Sequence, residues 1–161
     1  MTIRFYPTRI DLDFKIRSEV AEILAVTLAT TLDLKTQTKQ AHWNVKGINF
    51  LQLHELFDEL SGELEEYVDL VAERISALGG APLGTARIAA QISILPEYPL
   101  DIGTGVDHVT ALAERFAAFG AHLRAGIEKT GQLGDADSSD LYTEISRTID
   151  KRLWFLEAHL T

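Results

Sequence analysis

His54, Glu55, Asp58, Glu59, Glu63, Glu65, Glu66, Asp69 and Glu73 crowd one stretch of chain that contains no Lys or Arg. Imidazole and carboxylate donors together suit iron or zinc better than calcium, and the absence of Cys disfavours a closed thiolate zinc site. A solvated acidic helix face is the competing reading of such a charge run. Spacing favours the metal. His54 and Asp58 are four residues apart, as are Asp69 and Glu73, so on a helix each pair shares a face. Asp69 lies only about 20° round from Asp58, so all four project from one stripe. They cannot meet within one chain: Asp58 to Asp69 is about 16 Å along a helix, and His54 to Glu73 is roughly 30 Å. Both sets are, however, centred between residues 63 and 64. An antiparallel copy of the helix, related by a twofold axis at that point, brings His54 against Glu73 and Asp58 against Asp69 of its partner, giving two equivalent sites. Ser61 and Gly62 fall near the crossing, where low bulk allows close approach. Glu65 lies beside the stripe and is expected in a surface ion pair rather than as a ligand.

Long helices must position these groups. The four prolines stand at 7, 82, 96 and 99, leaving three long stretches free of the strongest helix breaker. Ile16, Val20, Ile23, Leu24, Leu28, Leu32 and Leu34 recur at helical steps, predicting a first helix from about Ile16 to Val45, with Gly47 as a left-handed stop. A second helix is predicted from about Phe50 to Leu78, closed by Gly79-Gly80-Ala81-Pro82. A short one falls within Thr85 to Ile94, and a third long helix runs from a Thr104 cap to about Lys129, stopping at Gly131. A fourth begins at Asp137-Ser138-Ser139-Asp140, with Leu141, Ile145, Ile149, Leu153 and Leu156 behind it. The fold class is therefore all-α, a four-helix bundle with a long crossover between the second and third long helices. Antiparallel packing sets the end of the first helix, and with it His42, beside His54 and Asp58. A single domain over 1–161 is expected, preceded at 1–15 by an N-terminal extension. The 161 residues are 46% hydrophobic and carry a formal charge of −9. Disorder and a disulfide scaffold are excluded, and no run approaches the roughly 18 apolar residues of a membrane span. Met1-Thr2-Ile3-Arg4 opens no signal peptide, so the cytoplasm is the expected location. Nucleophile and phosphate-cradling motifs are absent, and so is the Glu-x-x-His of ordinary bundle di-iron sites.

The stretch Lys39-Gln40-Ala41-His42-Trp43-Asn44-Val45-Lys46-Gly47, followed by Phe50, Leu53-His54, Phe57-Asp58, Asp69, Ala72-Glu73-Arg74 and Leu78-Gly79-Gly80, resembles the Dps family of mini-ferritins. The likeness continues through Asp140-Leu141, Glu144 to Arg147 and Asp150-Lys151 to His159. It implies a ferritin-like subunit, with a short extra helix in the crossover, assembled as a hollow dodecamer. His42, His54 and Asp58 of one chain and Asp69 and Glu73 of its partner would form a ferroxidase centre. Fe(II) would be oxidised there by hydrogen peroxide, or by dioxygen, and stored as ferric mineral, with zinc as a competing occupant. Trp43 would lie beside the site, either taking up a stray oxidising equivalent or serving as a bulky core aromatic. Asp135, Asp137 and Asp140 resemble the acidic lining of the family's threefold iron pores, while helix capping accounts equally well for Asp137 and Asp140. His108, His122 and His159 show no spacing that pairs them.

A DNA-compacting role is the alternative, since many members of that family bind DNA. Such binding commonly uses a mobile Lys-rich tail. Here Arg4, Arg9, Lys15 and Arg17 are opposed by Asp11, Asp13 and Glu19, and the whole chain is acidic. Tight DNA binding at physiological salt is therefore not expected. A scaffold with an incidental acidic seam is a third reading, but it gives no reason for the twofold spacing. The apolar Ile3-Arg4-Phe5-Tyr6-Pro7 segment is expected to pack on a neighbour or line an opening.

Overall fold

Apolar residues at helical spacing generate five helices in the computed structural model, which describes residues 2–161: α1 (Phe14–Asn44), α2 (Phe50–Ala77), α3 (Ala86–Ile92), α4 (Gly105–Gln132) and α5 (Ala136–Glu157). α1 and α2 form one hairpin and α4 and α5 another. α3, in the crossover, packs on α1. The core runs between the hairpins through Leu24, Leu28, Phe57, Leu60, Leu64, Ile75, Leu112, Phe116, Phe119, Tyr142 and Ile145, all essentially without solvent exposure. No described helix is long and apolar enough to cross a membrane.

Several boundaries differ from expectation for local reasons. α1 starts at Phe14, inside the expected 1–15 extension. Gly47 takes a positive φ of 113°, but α1 has already ended at a Val45 cap, so this glycine turns the interhelical link instead. α4 passes through Gly131 to Gln132, and Gly134 supplies the left-handed turn at φ 86°. The cap of α5 is Asp135, whose carboxylate accepts from the Ser138 backbone N–H at 3.1 Å, not Asp137 or Asp140. Thr104 does cap α4, accepting from the Asp107 N–H at 3.2 Å.

A polar seam lies inside α1. Thr27, Thr30, Thr31 and Thr38 are buried, each returning its hydroxyl to the carbonyl four residues earlier. Those bonds let a hydroxyl enter the core without an unpaired group. The crossover is seated by Arg115, a buried cation that donates from Nε to Gln37 Oε1 at 2.5 Å and from Nη2 to the Glu97 carbonyl at 2.7 Å. Gln37 in turn donates to the Pro96 carbonyl at 3.1 Å.

The N-terminal segment, expected to pack on a neighbour or line an opening, is seated along this chain's own α2 end. It lies on its own chain: Phe5 bridges to Gly80, Tyr6 N–H donates to the Gly79 carbonyl at 2.8 Å, and Ala81 N–H donates to the Arg4 carbonyl at 2.8 Å. Ile3 and Phe5 pack on the core. Gly79, at φ 88°, must be glycine twice over, since an added Cβ would sit 2.7 Å from the Tyr6 carbonyl oxygen.

Candidate metal centre

The short link from Val45 to Asn49 turns α1 into α2 and so brings His42, in the last turn of one helix, against His54, in the second turn of the next. Each imidazole is fixed by the other's backbone. His42 Nδ1 donates to the His54 carbonyl at 2.8 Å and His54 Nδ1 donates to the His42 carbonyl at 2.9 Å. A carbonyl can only accept, so both Nδ1 atoms carry hydrogen and both Nε2 lone pairs are left for a metal. The rings stack with centroids 3.7 Å apart and planes 20° apart. An ion about 2 Å from an imidazole nitrogen lies in that ring's plane. Two nearly parallel planes at this separation share no such point, so the two imidazoles cannot both aim at one ion.

Asp58, one turn beyond His54, is exposed and ion-paired with Lys39 of α1. The hydrogen bond from Lys39 is the main reason its carboxyl stays below the usual carboxylate range, with Lys39, His42 and His54 charges adding to the effect. It is thus ionised and ready to bind a cation. Asp69 and Glu73 are exposed on the far half of α2. Among the described residues, no group of three His or carboxylate side chains within one chain converges on a metal-sized point. His42, His54 and Asp58 lie together at the link end of the α1–α2 hairpin, whereas Asp69 and Glu73 stand apart on the far half of α2. Ser61 departs from the expected open crossing: it is buried in its own subunit, and only Gly62 stays on the exposed stripe, with open space where a Cβ would be.

The stretch lacking Lys and Arg is partly neutralised from other helices. Lys35 of α1 pairs with Glu65, as expected for that residue, and the buried Arg152 of α5 binds both Glu59 and Glu63. Sequence reasoning missed these cations. Lys35 and Lys39 share one face of α1, and Asp58 and Glu65, two turns apart, share one face of α2, so an antiparallel hairpin can set the two faces together.

Trp43 is 68% exposed, which overturns the core-aromatic alternative and leaves its indole on the surface next to His42. Asp135 does not fit a pore lining. It is buried, takes hydrogen bonds from Arg74 at 2.6 Å and from the Ser138 hydroxyl at 2.7 Å, and caps α5. Asp137 and Asp140 are exposed, Asp137 lying 3.7 Å from Arg74. The histidines without a spacing partner have found other groups: His108 meets the Tyr98 hydroxyl at 2.7 Å, His122 meets Thr27 at 2.9 Å, and His159 donates to the Phe155 carbonyl at 2.8 Å.

A family model for the ferritin-like domain matches residues 21–161. The DNA protection during starvation protein of Agrobacterium fabrum is 40% identical over 158 residues, covering 98% of both chains. Among solved structures, the tetragonal form of Mycobacterium smegmatis Dps superposes with a TM-score of 0.90 at 35% identity, covering 99% of this chain and 94% of that one. The Dps protein of Vibrio cholerae O1, a member of a broad superfamily of ferritin-like diiron-carboxylate proteins, gives a TM-score of 0.90 at 26% identity, covering 99% of this chain and all of its own.

Proposed function

Because this chain belongs to the Dps family of ferritin-like proteins, we propose that it oxidises Fe(II) with hydrogen peroxide and stores the ferric product inside a hollow homo-dodecamer. The observation that carries this reading is the reciprocal His42–His54 pair, which frees two Nε2 donors for two separate ions. Fe(II) is the substrate. One ion would be held by His54 and Asp58 and the other by His42, with Asp69 and Glu73 of a second copy completing the set across a twofold axis. The mixed imidazole and carboxylate donors suit Fe(II) and also admit zinc as a competitor.

Two ions matter because peroxide needs two electrons. A single Fe(II) supplies one, leaving hydroxide and a hydroxyl radical. Two Fe(II) supply both, and with two protons convert the peroxide to two waters without releasing a radical. Protection of the cell and its DNA would follow from this chemistry. In this chain, Lys39 keeps Asp58 ionised until a cation displaces it, and the interlocked imidazoles present their lone pairs without reorganisation. Asp137 and Asp140 remain candidates for the pore through which iron enters, and Trp43 for capture of a stray oxidising equivalent.

DNA compaction is disfavoured. The subunit carries −9, Arg4 stacks over Tyr6 at 4.9 Å, and Arg17 is bound to the Leu12 and Leu78 carbonyls, so these cations are held on the protein. A cytoplasmic setting suits a protein that meets free Fe(II).

The test adds Fe(II) anaerobically and then hydrogen peroxide, following ferric absorbance and trapped hydroxyl radical. Wild type should form ferric product quickly with little radical, and Asp58→Ala with Glu73→Ala should lose this while remaining assembled. Equal rates in both proteins would show that the five residues are not the centre.

A further inference from the structure

Tyr98 and His108 form a direct phenol–imidazole hydrogen bond of 2.7 Å inside the protein. Tyr98 comes from the crossover and is 3% exposed. His108 comes from the first turns of α4 and is 1% exposed. Burial pushes the Tyr98 hydroxyl well above its usual range and the His108 imidazole below its own, so the resting pair is neutral. The phenol therefore donates and Nδ1 accepts, which places the ring hydrogen on Nε2. Nε2 has no hydrogen-bond partner of good geometry, yet the Asn44 backbone lies beside it and favours the charged ring, as does Asp107. Arg115 lies over the Tyr98 ring at 5.3 Å and is the cation on the other side of the pair.

This arrangement differs from the other buried phenols. The Tyr67 hydroxyl donates to Thr148, and Tyr142 meets the Thr27 hydroxyl. Neither touches a base directly. A phenol that loses an electron while keeping its proton becomes a strong acid in apolar surroundings, which is costly. One whose proton can pass to an adjacent base avoids that state.

We infer that Tyr98 and His108 act as a one-electron sink for oxidising equivalents that stray from the metal centre. A hydroxyl radical takes one electron from Tyr98 and one proton from solvent and becomes water. The phenolic O–H bond breaks as its proton moves to His108 Nδ1, leaving a neutral phenoxyl radical beside an imidazolium. One Fe(II) returns the electron, becoming Fe(III), and the proton goes back to the phenol. Asn44 stands two residues beyond His42, about 3 Å along α1, so the backbone beside the pair lies within one helical turn of the proposed centre. The source of the oxidant rests on the ferroxidase reading; the chemistry of the pair does not.

Two experiments separate these. In metal-free protein, azidyl radicals made by pulse radiolysis should yield a phenoxyl EPR signal that Tyr98→Phe removes and Tyr142→Phe keeps. His108→Gln should shorten its lifetime about tenfold, the effect of losing one hydrogen bond of ordinary strength. A signal that survives Tyr98→Phe, or a lifetime unchanged in His108→Gln, overturns the proposal. Should His108→Gln not fold, wild-type Tyr98 oxidation in heavy water decides the same point: slowing supports the coupled proton, and an unchanged rate overturns it. With Fe(II) and hydrogen peroxide, Tyr98→Phe should form ferric product at the wild-type rate but release severalfold more trapped hydroxyl radical. Equal trapping overturns the link to the centre. Absence of ferric product in wild type overturns the ferroxidase reading, while the metal-free arm still decides the pair.

Discussion

In the proposed centre, Lys39 would both hold Asp58 ionised and compete with the metal for it. In Lys39→Gln the competitor is gone, so Co(II) should bind more tightly at pH 7, read from its d–d spectrum. The carboxyl pKa should also rise towards the ordinary value, so binding fails at a higher pH than in wild type as acid is added. Unchanged affinity and pH profile would mean the ion pair is incidental. At His108 and His122 the neutral form is the one favoured. Burial lowers both imidazoles in the folded protein, with Lys129 adding to the effect at His122. The unfolded chain therefore binds more protons once pH falls below about 6.5. Their contribution to stability is complete above that pH and is lost as pH falls towards the folded values; a flat denaturation midpoint between pH 7 and 5 would contradict it. At this scale the pairs His54–Asp58 and Asp69–Glu73 were readable as candidates, because i,i+4 spacing on a helix is a local property. Partners such as Tyr98 for His108, or Arg152 for Glu59 and Glu63, were not legible, since each joins elements whose facing depends on the packed bundle.

Helix ends show a similar division. Thr104 was readable as a cap, whereas Asp135 was not, because Gly131 offered a stop three residues before the glycine that is used. The two acids of the α4–α5 turn should now behave differently. Asp135→Ala removes a cap and leaves Arg74 without its buried partner, which should cost about 3 kcal/mol. Asp137→Ala touches only an exposed side chain and should stay within about 0.5 kcal/mol. Chemical denaturation of the two variants checks this, and equal losses would place the cap elsewhere. Gly126 poses a second test on α4. An added Cβ would lie 2.4 Å from the Tyr142 ring, so Gly126→Ala should destabilise by about 1–3 kcal/mol from overpacking, despite a helix propensity gain of about 1 kcal/mol. A raised melting temperature would show that the ring moves aside freely.

For the assembled protein, the proposed centre requires each chain to contribute two incomplete halves of a donor set. Mixing unfolded Asp58→Ala and Glu73→Ala subunits and refolding them together should restore ferroxidase activity that neither variant has alone. In a mixed dimer one site carries both lesions and the other carries none, so random pairing returns about a quarter of the wild-type sites. No recovery would mean the halves do not combine across chains. The twofold spacing of α2 is what suggests this arrangement, but the same spacing could not say which residues turn inward: Ser61 proved to belong to the core and Gly62 to the surface. The docked Ile3–Pro7 segment has a further consequence, in time rather than space. Its seat at Gly79–Ala81 is synthesised about seventy residues later, roughly 4–15 s at translation rates of ~5–20 residues/s. Ile3 and Phe5 must wait in the open for that interval, and the segment can fasten only after the α1–α2 hairpin exists to receive it.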